Sequence, residues 1–205
     1  MTTTHTTLAR SNRLRRLTFG LLAAGAAVAA VPGVAGAAPQ IGDKKACPAT
    51  EIRVKPGQTV VHGTCGDDLI FLYDSAVTVY AGDGNDEIRA GWGGKTVTLH
   101  LGNGNDTVST GSDKRVVAFG EAGDDELEGG QLDDVLHGGE GNDDLIGGTG
   151  KNVLSGGEGS DLLDSSSWKP GEQAPDWVYG GAGADISIFE PGDHLDGIEA
   201  ASPAN

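Results

Sequence analysis

Aromatic residues and methionine are scarce in this 205-residue chain: aromatic residues make up only 5%, and there is a single Met. Because such side chains fill much of the core of an ordinary globular domain, their scarcity argues against a conventional hydrophobic core. Basic residues are also few, with 14 Lys and Arg against 30 Asp and Glu and a formal net charge of −16. A chain of this charge is expected to repel nucleic acid and anionic lipid and to attract divalent cations.

Two familiar catalytic motifs are missing as well. The sequence contains neither the H-E-x-x-H pattern of a zinc hydrolase nor the G-x-S-x-G turn that presents a nucleophilic serine. Pairs of Asp and Glu occur throughout, so a pair of carboxylates carries little information about catalysis here. The histidines beyond residue 37 are scattered, and we expect them at surface or strand positions: His62, His100, His137 and His194. The chain is therefore predicted not to be an enzyme.

The chain has one long apolar run, Leu17–Val34, which follows four arginines at positions 10–16. The small residues at 35–37 fit a cleavage site, so residues 1–37 are predicted to be a signal peptide and the protein to be secreted. A membrane anchor is the alternative, which the Gly and Pro content of the run disfavours. Both the general and the twin-arginine export routes remain open. Removing the leader leaves ten basic residues against 30 acids, a net charge of −20.

Two cysteines, Cys47 and Cys65, follow the leader. An even number of cysteines in an exported chain indicates a disulfide, which would close a short loop near the start of the mature protein. Residues 38–61 are predicted to form a lead-in and an N-terminal cap. Within them, the Lys-Pro-Gly sequence at 55–57 suits a type II turn, either in a small hairpin or in the first coil of a stack.

Glycine, by contrast, is abundant, with 35 residues, and much of it recurs with a period of nine. Five units fill residues 120–164: GEAGDDELE, GGQLDDVLH, GGEGNDDLI, GGTGKNVLS and GGEGSDLLD. They follow the template G-G-x-G-x-D-x-U-x, in which U is a large apolar residue. Glycine permits a tight turn with crowded carbonyls, and Asp supplies a hard oxygen of the kind that Ca²⁺ binds. A disordered linker rich in Gly and Asp is the alternative, but it would not keep Asp and the apolar residue in phase.

The last three positions of each unit form a short strand, in which only the middle side chain needs to point inward. One unit is too small to bury that side chain alone, so the units must stack. The predicted inward side chains of the five units are Leu127, Leu136, Leu145, Leu154 and Leu163.

These units resemble the RTX, or haemolysin-type calcium-binding, repeat family. The resemblance implies an all-β fold, a right-handed parallel β-roll of nonapeptide repeats with short N- and C-terminal caps. In that family two units form one coil, so successive turns alternate between two sides of the roll. Each Ca²⁺ lies between turns n and n+2, held by Asp carboxylates and backbone carbonyls. The family's toxin and protease activities reside in separate domains, and the sequence shows no such domain.

The repeat phase extends upstream if small insertions are allowed, so that the calcium-binding roll is predicted over residues 62–164. The upstream units would start at His62, Leu72, Ala81, Ala90, Leu101 and Thr110. Their inward side chains would be Leu69, Val79, Ile88, Val97, Val108 and Val117. Together with the five leucines downstream, these residues form an unbroken apolar series.

The sixth position of the unit distinguishes the two sides of the roll. One side carries an unbroken series of acids: Asp67, Asp86, Asp106, Asp125, Asp143 and Asp161. The other side carries Val77, Lys95, Arg115, Asp134 and Asn152. Lys95 and Arg115 are predicted to reach turn carbonyls as fixed cations. The predicted metal ligands are the six acids of the first series, Asp134, and Asp185, where the pattern resumes. Ordinary decay of the repeats is the alternative explanation of this split.

Residues 165–205 are predicted to contain a loop insertion at 165–170, the last turns at 176–185, and closing strands. Trp168 lies within this insertion and Trp177 follows it. They are expected either to cover the open end of the stack or to form an exposed pair that binds sugar, since Trp supplies a large stacking surface.

Together these features predict a secreted protein whose folding is driven by Ca²⁺ held between Gly/Asp turns, without binding to nucleic acid or insertion into a membrane. The alternative is a calcium-ordered adhesion or glycan-binding module with a cell-surface glycan or protein as partner. A calcium-dependent polysaccharide lyase is a third alternative, in which Lys95 or Arg115 would act beside Asp-bound Ca²⁺. The narrow roll and the position of these two residues on the other side disfavour it.

Overall fold

A computed structural model describes residues 47–73, 76–91, 93–111, 113–167 and 174–204. The described residues all belong to one compact unit. The predicted signal peptide and Trp168 lie outside the described residues.

Short strands and glycine-rich turns alternate along the described chain. Those residues contain no helix, and hence no helix long and apolar enough to cross a membrane. Extended backbone is expected because apolar side chains stand at every second position of the longer strands. The strands are β1 (Glu51–Arg53), β2 (Val60–His62), β3 (Leu69–Leu72), β4 (Val77–Asp83), β5 (Glu87–Ala90), β6 (Val97–Asn103), β7 (Thr107–Thr110), β8 (Val116–Ala122), β9 (Glu126–Glu128), β10 (Val135–Glu140), β11 (Asp144–Ile146), β12 (Val153–Glu158), β13 (Leu162–Asp164), β14 (Trp177–Ala182), β15 (Ile186–Phe189), β16 (His194–Asp196) and β17 (Ala200–Pro203).

The strands form two parallel sheets, and the chain crosses from one to the other at every turn. The odd-numbered strands, β1 to β17, form a nine-stranded sheet, and the even-numbered strands, β2 to β16, form an eight-stranded one. Neighbours within a sheet are therefore one full coil apart, as where Val135 of β10 pairs with Val153 of β12. The protein is a parallel β-roll of about eight coils, which confirms the predicted fold class.

The core is a double row of apolar side chains that runs along the inside of the roll, one row from each sheet. Each of these side chains is at most 1% exposed, and burying a side chain of this size contributes about 1.5–3 kcal/mol. The row from the odd sheet is Ile70, Ile88, Val108, Leu127, Leu145 and Leu163, and the row from the even sheet is Val79, Leu99, Ala118, Leu136, Leu154 and Val178.

Nine of the eleven predicted inward side chains are buried as expected, including all five leucines of the regular repeat. The other two, Leu69 and Val117, face outward and are half-buried. Ile70 takes the inward position in place of Leu69, and Ala118 does so in place of Val117. The prediction was wrong at these two places because the inserted residues lie one position away from where the repeat phase put them.

The N-terminal residues form the first coil of the roll and not a hairpin. β1 pairs with β3, and β2 pairs with β4, in both cases parallel. A hydrogen bond from Gln58 N to Lys55 O, 3.1 Å long, closes the turn between β1 and β2. Gly57 has φ +85° in this turn, which fits the predicted type II geometry.

The roll continues beyond the interruption of the repeat. β14 and β15 pair with β12 and β13, and β16 and β17 then extend the two sheets by one more strand each. The stack therefore continues on both sides of the interruption.

The predicted disulfide joins Cys47 to Cys65 and ties the lead-in to the turn after β2. Replacing both residues by Ser should lower the free energy of unfolding by about 3 kcal/mol, the loop-entropy value for a closure of this length. Urea denaturation at saturating Ca²⁺ measures the change, with chemically reduced wild-type protein as the matched comparison. An unchanged urea midpoint in both would contradict the stabilising role of the disulfide.

Candidate metal centre

The turns that lead from the even sheet into the odd sheet carry a ladder of acids, and we call this side of the roll the first edge. The last residue of each turn is acidic, and one carboxylate oxygen accepts a hydrogen bond from the backbone N–H of its equivalent one coil earlier. These bonds are 2.6–2.9 Å long. The ladder consists of Asp68, Asp86, Asp106, Asp125, Asp143, Asp161, Asp185 and Glu199. Six of the predicted metal ligands are thereby brought into one line.

The second carboxylate oxygen of most ladder residues is buried and unpaired. Within the described residues, Oδ2 has no hydrogen-bond partner at six successive positions: Asp86, Asp106, Asp125, Asp143, Asp161 and Asp185. Each of these residues is at most 2% exposed. Asp68 differs, because its Oδ2 accepts a hydrogen bond from Thr64 N at 2.6 Å. A buried carboxylate oxygen without a partner is unfavourable, so the six positions require either a proton or a cation.

Burial shifts the protonation of these carboxyls in the expected direction. Loss of solvent raises the pKa of Asp86, Asp106 and Asp143 to about 6 and that of Asp125 to about 7. The same cause raises the pKa of Asp161. Neighbouring carboxylates add to the shift, whereas the hydrogen bond from the backbone opposes it. Near neutral pH the first edge is therefore close to exchanging protons for another positive charge.

Glycine makes room for the unpaired oxygen. In the turn before Asp143, a Cβ on Gly138 would collide with Asp143 Oδ2, and a Cβ on Gly139 would collide with the carbonyl oxygen of Glu121 one coil earlier. Gly139 also has φ +127°, a conformation that residues with a side chain rarely adopt. The turn thus packs carboxylate and carbonyl oxygens closely together in a space that only glycine leaves open.

This donor set fits Ca²⁺. The ion takes about six to eight hard oxygen ligands, from carboxylates and backbone carbonyls, in flexible geometry. The residues that would hold it are neighbouring acids of the first-edge ladder, together with the glycine-rich turns that precede them. A bound ion would supply positive charge to the unpaired Oδ2 atoms.

The second edge, where turns lead from the odd sheet into the even sheet, has a different chemistry. Asp134 accepts hydrogen bonds from Val116 N through Oδ1 and from Gly130 N through Oδ2, both 2.6 Å long. Asn152 Oδ1 in turn accepts from Asp134 N at 3.0 Å. Asp134, a predicted metal ligand, therefore has both oxygens paired, unlike the six first-edge acids whose Oδ2 is unpaired.

Asp176 and Asp193 continue the second edge, and the repeat pattern predicts neither of them as a site residue. Asp176 Oδ1 accepts from Asn152 N at 2.6 Å, and Asp193 Oδ1 accepts from Asp176 N at 3.0 Å. Asp193 Oδ2 accepts from Ser165 Oγ and Glu190 N, both at 2.8 Å. The available signal was that each Asp stands directly before a strand, but the insertion between the repeats hid the spacing.

Asp67, a predicted ligand, is not part of the first-edge ladder. The strand register puts Asp68 beside Asp86, because the first unit starts one residue later than the repeat phase suggested. Asp67 is exposed and begins a second ladder, in which each Oδ1 accepts from the backbone N–H one coil later. The members of this exposed ladder are Asp67, Asn85, Asn105, Asp124 and Asn142. The two ladders therefore bond in opposite directions along the roll.

Lys95 and Arg115 do not occupy the positions on the second edge that the sequence predicted. The register places Val97 and Val116 in line with Asp134, and the side chains of Lys95 and Arg115 are exposed. Insertions of one or two residues account for the error, since each shifts the apparent sixth position of the unit.

The buried cation of the second edge is Lys114. Its side chain is fully buried, and its Nζ donates to Tyr73 O at 2.8 Å and to Gly93 O at 3.0 Å. A fixed cation therefore reaches turn carbonyls, as expected, but from a different residue than predicted. It links three successive turns on this edge without a metal ion.

The histidines lie at strand positions on the outer face of the even sheet. Three of them stack with two other rings, with centroids 4.9–5.2 Å apart: His62, Tyr80, His100, Phe119 and His137. The ring of Trp177 stacks on His194, with 5.2 Å between the ring centroids. Lys151 Nζ lies 4.7 Å from the Trp177 ring centroid. Neighbours thus occupy the ring faces of Trp177, which a stacked sugar would need.

The repeats themselves match a known family. The RTX calcium-binding nonapeptide repeat (4 copies) matches residues 62–94, 97–117, 103–136, 137–167 and 171–193. The chain belongs to the RTX calcium-binding repeat family. RTX rolls are structural calcium-binding domains and are not typically enzymatic. No curated protein and no solved structure is significantly similar to this RTX chain.

Proton binding should substitute in part for metal. In the folded protein the carboxyls of Asp86, Asp106, Asp125 and Asp143 have pKa values of about 6 to 7, against about 3.9 in an unfolded chain. Between these values the folded form binds more protons, so the free energy of unfolding of metal-free protein falls as pH rises from about 4 to 7. Circular dichroism in EGTA should therefore show more β structure at pH 5 than at pH 8.

Asp125→Asn, which keeps this position uncharged, should weaken the pH dependence, whereas Asp124→Asn at the exposed neighbouring position should not. A larger β signal at pH 8 than at pH 5 would contradict this account of the first edge.

Proposed function

We propose that this RTX protein is exported and that Ca²⁺, bound along the first edge, drives its folding. The observation that carries the proposal is the line of six buried, unpaired Oδ2 atoms spaced one coil apart. The backbone N–H groups nearby already donate to other oxygens. Asp125 N donates to Asp143 Oδ1, and Asn142 N donates to Asp124 Oδ1, so these groups cannot satisfy the unpaired Oδ2 atoms. A divalent cation between neighbouring acids would satisfy two carboxylates at once.

Charge and core size both favour a metal requirement. Without the predicted leader the chain carries a net charge of −20 and repels itself. In the regular repeats each strand buries one large apolar side chain, which offsets little of the entropy lost on ordering the chain. Ca²⁺ that binds only the folded form adds RT ln(1 + [L]/Kd) per site, so several sites together give a steep dependence on calcium.

Secretion would explain why folding depends on calcium. Residues 1–37 have the pattern of a signal peptide, and extracellular calcium modules bind at about 10⁻⁴–10⁻³ M. The low calcium of the cytosol would leave the chain unfolded and competent for export, and the calcium outside would then fold it. The proposed role is structural, with Ca²⁺ as the partner and no catalytic step.

The two edges are proposed to differ in calcium binding. The six unpaired positions of the first edge leave five gaps between neighbours, and each gap offers two carboxylates. On the second edge, Asp134 already has both oxygens hydrogen-bonded, and Lys114 supplies a cation of its own. We therefore place up to five ions along the first edge and at most one or two weaker ones along the second.

Removing calcium should unfold most of the roll at neutral pH. Circular dichroism of the mature chain is expected to lose most of its β signal in EGTA and to recover it in millimolar Ca²⁺, since the unpaired carboxylates then gain a counter-charge. Millimolar Mg²⁺ serves as the control, because its smaller size and strict octahedral geometry suit a crowded carbonyl site poorly. A β signal that is the same in EGTA and in Ca²⁺ would overturn the proposal.

Substitutions on the two edges should have unequal effects. Asp143→Ala removes a carboxylate from two adjacent gaps and should raise the calcium midpoint of folding by about fivefold or more. Asn152→Ala, the matched change on the second edge, should raise it much less. Calcium titrations followed by circular dichroism measure both variants. Equal shifts would contradict the unequal edges while leaving calcium-driven folding intact.

A further inference from the structure

The coils at the two ends of the roll bury very different side chains. We call residues 47–122, which contain β1 to β8, the proximal coils, and residues 123–204, which contain β9 to β17, the distal coils. Among the described residues, 21 apolar side chains are buried, of which fifteen belong to the proximal coils and six to the distal coils. Apolar burial is the main force that offsets ordering entropy, so most of it acts in the proximal coils.

Buried carboxyls have the opposite distribution. Three lie in the proximal coils, at Asp68, Asp86 and Asp106. Seven lie in the distal coils: Asp125, Asp134, Asp143, Asp161, Asp176, Asp185 and Glu190. The distal coils thus bury more carboxyls than apolar side chains. Because a buried charge needs compensation, these coils depend on protons or cations to a greater degree than the proximal coils do.

The second edge changes character at the same boundary. In the proximal coils the position before the core row holds Val77, Val97 and Val116, which are at most 4% exposed. In the distal coils the same column holds Asp134 and Asn152. The proximal part of this edge is therefore closed by apolar packing, which needs neither a metal ion nor a proton.

Two further ties act within the proximal coils only. The Lys114 ammonium bonds the carbonyls of Tyr73 and Gly93, which belong to the two preceding turns of the same edge. The Cys47–Cys65 disulfide fixes the lead-in to the first coil. Neither tie uses a bound Ca²⁺ ion, so both stabilise the folded proximal coils independently of the calcium sites.

We propose that the proximal coils become ordered at lower Ca²⁺ than the distal coils and then act as the template on which the distal coils wind. Each distal strand needs the edge of the preceding strand for its parallel pairing, as β10 needs β8. Ordering then spreads from β8 towards β17 as calcium rises. This inference rests on the proposed calcium-driven folding and adds its direction.

Hydrogen–deuterium exchange of the mature protein, measured by mass spectrometry across a calcium titration, tests the direction. Peptides from β1 to β8 should become protected at a calcium midpoint about tenfold below that of peptides from β9 to β17, because a part with more metal-free stability needs less ligand. A single midpoint for all peptides, or earlier protection of the distal peptides, would overturn the inference. Protection of all peptides in EGTA would instead overturn the proposed function.

Variants in the two parts separate their contributions. Lys114→Met should raise the midpoint of the proximal peptides by about threefold or more, since the carbonyls of Tyr73 and Gly93 lose their donor and the buried ammonium is removed. Lys55→Met, at an exposed turn position in the same coils, is the matched control and should leave the midpoint unchanged. If the calcium midpoint of the proximal peptides were unchanged in Lys114→Met, Lys114 would not be a cause of their earlier ordering.

Asp143→Ala gives the converse test and does not depend on Lys114. It should raise the midpoint of the distal peptides and leave that of the proximal peptides in place, since the change lies beyond the boundary. Equal shifts in both sets of peptides would show that the roll orders as one unit and would overturn the inference, even if Lys114→Met failed to fold.

Discussion

A buried carboxylate oxygen that lacks a hydrogen-bond donor is stable only with a proton or a positive charge next to it, and this constraint shapes six successive turns of the first edge. The carbonyls approach closely because glycine occupies the positions where a side chain would collide, as at Gly138 and Gly139. The Asp that follows directly precedes a strand of the odd sheet, and parallel pairing repeats the arrangement one coil later. In the calcium-driven folding that we propose, each ion would act on two coils together and would thereby couple metal binding to stacking.

The second edge shows how the same backbone manages when that constraint is relieved. At Val77 and Val97 an apolar side chain stands in place of the acid. Lys114 supplies positive charge through its own ammonium group. Asp134 pairs both of its oxygens with backbone N–H groups. All three solutions occur within one roll, on turns that carry equivalent strands. The fold thus requires satisfied turns, whereas calcium is one of several ways to satisfy them.

The regular part of the sequence allowed secure placement of side chains. Between residues 120 and 164 the nine-residue period is unbroken, so two units make one coil and the register cannot slip. The five inward leucines and the acids of that stretch could therefore be predicted. Upstream, single inserted residues fall within turns, and a period alone does not tell on which side of the turn they lie. For that reason the period predicts Asp67 as a metal ligand where the structure places Asp68 in the ladder. It likewise predicts Arg115 as the fixed cation, whereas Lys114 is the buried one.

Other features depend on pairing across coils and leave no local signal. The stack from His62 to His137 joins rings that are about twenty residues apart in sequence, and it becomes visible only when the register of each coil is known. The same is true of the unpaired oxygens, because a sequence shows an Asp but not which of its two oxygens finds a donor. Asp176 lies after an insertion, so its distance from Asn152 does not follow the repeat period and its place on the second edge could not be predicted.

In the regular repeats, residues 120–164, the spacing between equivalent residues is constant: Asp125 bonds Asp143, and Asp143 bonds Asp161, at 18 residues in each case. A coil here makes the same contacts with the coil before it as with the coil after it. Gain or loss of an 18-residue segment would rejoin strand edges with equivalent backbone pairing, so recombination between repeats could lengthen or shorten the roll without shifting its register. Each such event would change the ion-binding capacity by one step, and the length of the roll becomes a trait that can be adjusted in units of a single coil.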